Sequence, residues 1–164
     1  MISIKNIVPI VILYCQSKGF TINPLKLQKL LYFIQAWHIV FFKKNPLWDE
    51  LPEAWVNGPV YRSVYDIFKA KFYRNSNILY RGNEESLLDE LAKRTRMSEL
   101  TDEQQKLLFS VLDVYGAMSD EKLVISTHSA TPWNKAREGF SLLERCSKCI
   151  SVEDMYDYYS KPKK

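Results

Sequence analysis

A chain of 164 residues with 46% hydrophobic and 26% charged side chains, 5 Gly and 7 Pro has the size and balance of a self-folding core, which excludes a disordered or fibrous protein. A net charge of +4 is too mild to demand a nucleic-acid partner, and three cysteines leave one unpaired in any disulfide scheme, which suits free thiols in a reducing cytoplasm. Aromatic residues, at 13%, are abundant enough to serve a packed core, a contact surface or both.

From Ile4 to Lys18 apolar side chains recur at helical spacing, and Gly19 stands where a left-handed cap would end a helix. The apolar run Ile7 to Cys15 is too short to span a bilayer and no cleavage site follows it, so it reads as a buried helix, with no export and no membrane partner. Asn23 and Pro24 form a cap and first-turn pair that opens a long helix to about Lys43, with Leu27, Leu30, Leu31, Ile34, Trp37, His38 and Phe41 on one face. Asn45 and Pro46 break it.

Glu53 to Val56 reads as a short extended piece, and Asn57, Gly58 and Pro59 as a turn, because glycine accepts positive φ and proline cannot continue a ladder. Val60 to Tyr73 steps apolar residues by three and four, a helix carrying Arg62, Lys69, Lys71 and Arg74 on its basic side. Ile78 to Tyr80 reads as a loop or a strand pairing with the Trp55 segment.

Glu84 to Lys93 forms a weaker helix that ends in the positive run Lys93 to Arg96. Thr101 and Gln104 make a capping box for the next, and Ser119 caps a short one through Ile125. Thr131 with Pro132 opens a brief helix through Arg137, and Ser151 caps the last, through Tyr159, before the basic tail 161–164. The expected fold is therefore mainly α: a single compact helical domain over 1–160, of six to eight helices, with room for a minimal two-stranded β element.

Catalytic motifs are scarce. His38 falls on the apolar face of its helix, where a hydrogen-bonded core histidine is the ordinary finding, and His128 sits at a helix end, where its ring can bond free carbonyls. Cys146 and Cys149 form one CxxC without the second pair that a structural zinc needs. No glycine-rich phosphate loop, GxSxG elbow or carboxylate metal motif occurs, so the expectation is no enzyme, no metal and no cofactor.

Three stretches, LQKLLYFIQAWH from Leu27, AWVNGPVYRSVY from Ala54 and THSATPWNKA from Thr127, with the closing ISVEDMYDYY from Ile150, together resemble the Panacea domain, also called the SocA-like antitoxin domain of bacteria and phages. The resemblance extends over nearly the whole chain. It implies a cytoplasmic antitoxin of a type II toxin-antitoxin pair, neutralising a cognate protein toxin by direct contact, and in one branch presenting that toxin to a cytoplasmic protease. With the matching region starting near Met1, the extra DNA-binding domain of some relatives is not expected.

Candidate partner-binding residues are Lys29, Trp55, Tyr61, Arg62, Tyr65, His128, Trp133 and Arg137, with Gly58, Pro59 and Pro132 as structural turn residues. Stiff turns hold Trp55, Tyr61 and Trp133 in fixed positions, and preorganised Trp, Tyr and Arg dominate interface energies. The expected surface contains Tyr61, Tyr65, Trp133 and Arg137; Trp55 and Trp133 filling the core is the competing reading. The alternative function is a nucleic-acid-binding transcriptional regulator using the basic side of the helix after Gly58, with Lys26 and Lys29 of the preceding helix beside it.

Overall fold

The computed structural model describes residues 1–69 and 76–162. Among them lie α1 (Ile4–Ser17), α2 (Pro24–Phe41), β1 (Glu53–Trp55), β2 (Gly58–Val60), α3 (Arg62–Phe68), α4 (Glu84–Met97), α5 (Asp102–Tyr115), α6 (Asp120–His128), α7 (Thr131–Ala136) and α8 (Val152–Tyr159). Among the described residues the architecture is mainly α, 58% helical, with one small antiparallel sheet.

Local chemistry starts most of these helices. The side chains of Asn23, Asn83, Thr101, Ser119 and Ser151 each accept a hydrogen bond from a backbone N–H in the first turn, and Gln104 completes the capping box with Thr101. Two helix starts obey a different rule. Thr131 lies inside α7, whose cap is Ala130 with no side-chain bond, so Pro132 and the tertiary surroundings set that start rather than the threonine hydroxyl. At α3 the cap residue Tyr61 offers no bond either, and the Glu50 carboxylate accepts from Ser63 N, 3.1 Å, and Ser63 Oγ instead.

Helix α2 is the centre of the molecule. Thirteen of its 18 residues are buried, as befits a helix that is covered all round, and it packs against α1, α3, α5, α6, α8 and β2. Glutamines inside this apolar cylinder must find partners. Gln35 bonds Leu47 N at 2.7 Å and Trp48 O at 2.8 Å; Gln28, seven residues earlier on the same face, bonds Tyr61 N at 2.8 Å and Tyr61 O at 3.2 Å. Each amide thus pairs with passing backbone as another peptide group would.

Several sequence expectations are corrected. The Trp55 segment pairs with Gly58–Val60 across a two-residue turn at Val56 and Asn57, not with Ile78 to Tyr80, whose Ile78 N donates to Ile22 O at 2.7 Å. Pro59 is tolerated in this ladder because it faces Ala54, whose own N–H points away to Lys148 O at 2.8 Å, so the pair needs no proline donor. Helix α4 continues through the positive run to Met97, since Arg94 and Thr95 bond Glu90 and Leu91 one turn back. Helix α2 stops at Phe41 because Lys43 and Lys44 take positive φ of 53° and 70°. The expected end of the α3 helix near Tyr73, with Lys71 and Arg74, lies outside the described residues, as do residues 163–164 of the tail.

Candidate functional site

The hairpin β1–β2 is held by side chains from two helices, α2 and α7. Lys29 Nζ of α2 donates to Pro59 O at 3.1 Å, Trp133 Nε1 of α7 to Trp55 O at 2.8 Å, and Arg137, which closes α7, to Ala54 O at 2.8 Å. The Gln28 amide brackets Tyr61 just beyond β2. On the outer edge of β1, Ala54 N donates to Lys148 O and Ile150 N to Pro52 O, each at 2.8 Å. These donors and acceptors satisfy hairpin backbone groups that no wider sheet is present to pair.

The clamp is packed as tightly as it is bonded. Gly58 has φ +111°, in the region that favours glycine, and a Cβ there would lie 2.7 Å from Lys29 Cε and 2.9 Å from Thr127 Oγ1. His128 stacks on Trp133 at 4.1 Å with 14° between planes, and the Arg137 guanidinium lies over the same indole at 5.2 Å. Arg137 also donates to Ser141 O at 3.0 Å and Glu144 O at 2.6 Å, fixing the turn that follows α7.

Burial sets the protonation of this cluster. Lys29 is fully buried and has no carboxylate partner among the described residues, so loss of water lowers its amine from 10.5 to about 7. His128 is also shifted down, first by burial and then by the positive charge of Lys29, against an opposing pull from the Val56 carbonyl; its Nε2 is buried without a hydrogen-bond partner among the described residues.

Three of the expected partner-binding residues face the other way. Trp55 and Tyr65 meet edge to face with centroids 4.9 Å apart, and Arg62 lies over the Trp55 ring at 5.2 Å. Glu53 ties them together: it accepts from Arg62 Nε at 2.9 Å, Arg62 Nη2 at 3.0 Å and Trp55 Nε1 at 3.1 Å, and the Arg62 bonds hold its carboxyl below the usual range. Beside this aromatic edge runs a groove of about 690 Å³, floored by Leu25, Val56, Val60 and Val64 and bordered by Lys69 and Arg145.

The expected surface is therefore corrected. Tyr65 is 41% exposed, but Tyr61, Trp133 and Arg137 are 0%, 3% and 5% exposed, and Lys29 is 0% exposed rather than part of a basic outer stripe. Each meets a non-local partner inside: the Tyr61 ring packs edge to face on Trp48 at 5.5 Å, and Trp133, Arg137 and Lys29 donate to Trp55 O, Ala54 O and Pro59 O respectively. Lys26 is likewise buried, donating to Gly116 O at 2.7 Å. The sequence reading missed Gln28 and Glu53. Their signals were a polar residue inside an apolar helix, and an acid two positions before Trp55 on the same strand face.

The CxxC pair holds free thiols, one buried and one exposed, and no cluster of metal-binding side chains is found among the described residues. No helix there is long and apolar enough to cross a membrane. A family model described as Antitoxin SocA-like, Panacea domain, matches residues 27–134, a narrower span than the sequence reading implied and one that runs from α2 into α7. No curated protein and no solved structure matches the chain.

Proposed function

Because the chain belongs to the SocA-like, Panacea domain antitoxin family, we propose that it neutralises a cognate protein toxin in the cytoplasm by stoichiometric contact, not by catalysis. The observation that carries this reading is the division of the hairpin into two faces. The inner face is locked by Lys29, Trp133 and Arg137, so the outer face presents Trp55, Tyr65 and Arg62 already ordered. An aromatic and arginine group whose ordering cost is met by folding is the kind of anchor that dominates protein interfaces. The basic stripe of the nucleic-acid alternative gains less support: Lys26 and Lys29 are inside, Arg62 is tied to Glu53, and Lys71 and Arg74 lie outside the described residues.

The test is genetic and then biochemical. The reading frame next to this one is expressed alone and together with this chain; a frame that arrests growth alone and is harmless in the pair identifies the toxin. The two proteins should co-purify, and Trp55→Ala with Tyr65→Ala should abolish rescue while the chain stays folded. Toxin half-life in the same cells reads whether bound toxin is also degraded. Absence of any complex between rescued toxin and this chain contradicts the proposal.

A further inference from the structure

We propose that the groove beside the hairpin receives a short segment of the partner protein in which one large apolar side chain is flanked by aspartate or glutamate; this inference rests on the protein-binding reading above. The groove's volume, about 690 Å³, is in the range that accepts a few side chains. Its floor of Leu25, Val56, Val60 and Val64 offers an apolar side chain burial without a polar cost.

Its charge is one-sided. Lys69 and Arg145 line it, and no carboxylate does among the described residues. Arg145 is exposed and has no ion-pair partner among those residues, while Lys69 pairs only with Asp66 of its own helix, an exposed contact that water and salt readily replace. An acidic segment meets these cations with opposite charge, whereas a basic one is repelled.

Sheet extension cannot supply the recognition. The outer edge of β1 is taken by Lys148 and Ile150, and the Gln28 amide occupies the backbone of Tyr61 where β2 ends. Selectivity therefore falls to side chains. A nucleic acid is the other anionic partner, but Arg62 already lies over the Trp55 ring at 5.2 Å and Lys69 over the Tyr65 ring at 6.0 Å, so a stacking base would have to displace them.

The experiment pans the full chain against a library of random short peptides displayed on phage, then measures the selected peptides by fluorescence anisotropy against the chain and two variants. Leu25→Glu puts a carboxylate in the groove at the first turn of α2, where the helix dipole favours it, and circular dichroism checks that the variant is folded. Arg145→Glu reverses an exposed charge. Selected peptides are expected to carry Leu, Ile, Phe or Trp with an acid within the next few positions. Leu25→Glu should weaken them at least about tenfold. Arg145→Glu should weaken them about threefold or more and favour their Lys-substituted versions.

An acid-free consensus, no consensus, or equal affinity for Leu25→Glu overturns the proposal. So does tighter binding of a single-stranded oligonucleotide than of the best peptide, or a dimer in sedimentation equilibrium that Leu25→Glu dissociates. In the co-expression assay, full rescue by both variants overturns the groove assignment while leaving toxin neutralisation standing; failure of the unaltered chain to rescue overturns the neutralisation reading itself.

Discussion

Lys29 and Gly58 occupy each other's space: the lysine stem crosses where a Cβ on the glycine would sit, 2.7 Å from Cε, and its amine reaches on to the carbonyl of Pro59. The central helix and the hairpin can approach this closely only because residue 58 has no side chain. That approach places the outer rings of Trp55 and Tyr65 where they are.

Gly58→Ala should therefore destabilise the chain by more than about 2 kcal/mol, from positive-φ strain and from contact with Lys29 and with Thr127, whose hydroxyl is held by Val124 O at 2.8 Å. Urea unfolding followed by circular dichroism measures it. A change near zero would mean that α2 and the hairpin can separate without cost.

Lys29 makes stability depend on pH in a definite direction. Its amine titrates near 10.5 when unfolded and about 7 when folded, so unfolding takes up a proton between those values. Stability from this group is complete above the unfolded value, is lost as pH falls toward about 7, and is level below that. Cys15, raised by burial to about 12, and the buried tyrosines act oppositely in alkali, so the informative quantity is a difference. The urea midpoint of Lys29→Met minus that of the parent should grow as pH is lowered from 10 to 7. A flat difference would show that the amine keeps its ordinary affinity for protons.

Acid should weaken the fold through both histidines. Gln104 accepts from Thr101 N with its oxygen, so its Nε2 donates to His38 Nε2, and His38 in turn donates its Nδ1 proton to Asn45 O at 2.7 Å. Burial lowers the His38 value, against the pull of Asn45, and protonation at Nε2 would set two donors face to face. For His38 and His128 alike, the stability of the neutral ring is present above about 6.5 and is lost as pH falls through the lowered folded value. Proton NMR titration of the two rings should give midpoints below 6.5; a His38 midpoint at or above that value contradicts the assigned network.

Trp133 and Trp55 should respond to mutation in opposite ways. Trp133→Phe keeps an aromatic ring under His128 and Arg137 but leaves Trp55 O without its side-chain donor, a cost of about 1 kcal/mol, and Trp133→Ala should cost about 3–5 kcal/mol. Trp55→Ala removes a half-buried ring whose bond is to Glu53, and should cost no more than about 1 kcal/mol while abolishing toxin rescue. Thermal unfolding beside the co-expression assay separates the two roles, and a Trp55→Ala protein that still rescues fully would move the contact surface elsewhere.

The helices were readable because their signals are local. Asn23 with Pro24, Thr101 with Gln104, and Ser151 each act within one turn of their own backbone, and the structure starts helices at all three. The hairpin was half readable: a reversal near Gly58 was expected, but the turn falls one step earlier, at Val56 and Asn57, and Gly58 and Pro59 join the strand that answers Trp55, in a register where Pro59 needs no donor. The reach of α4 to Met97 was hidden because a positive run suits either the last turn of a helix or its end.

What the sequence determined by itself was the order of helices, most of their caps and the motifs that mark the family. What only the tertiary structure decided was which way those motifs face. Lys29, Tyr61, Trp133 and Arg137 look like surface anchors in a string of letters, because an amphipathic side chain can end in water or on a carbonyl at equal local cost. The hairpin carbonyls that claim Lys29, Trp133 and Arg137 lie 30 to 83 residues away along the chain, so the choice is made by packing, and the outward role passes to Trp55, Arg62 and Tyr65.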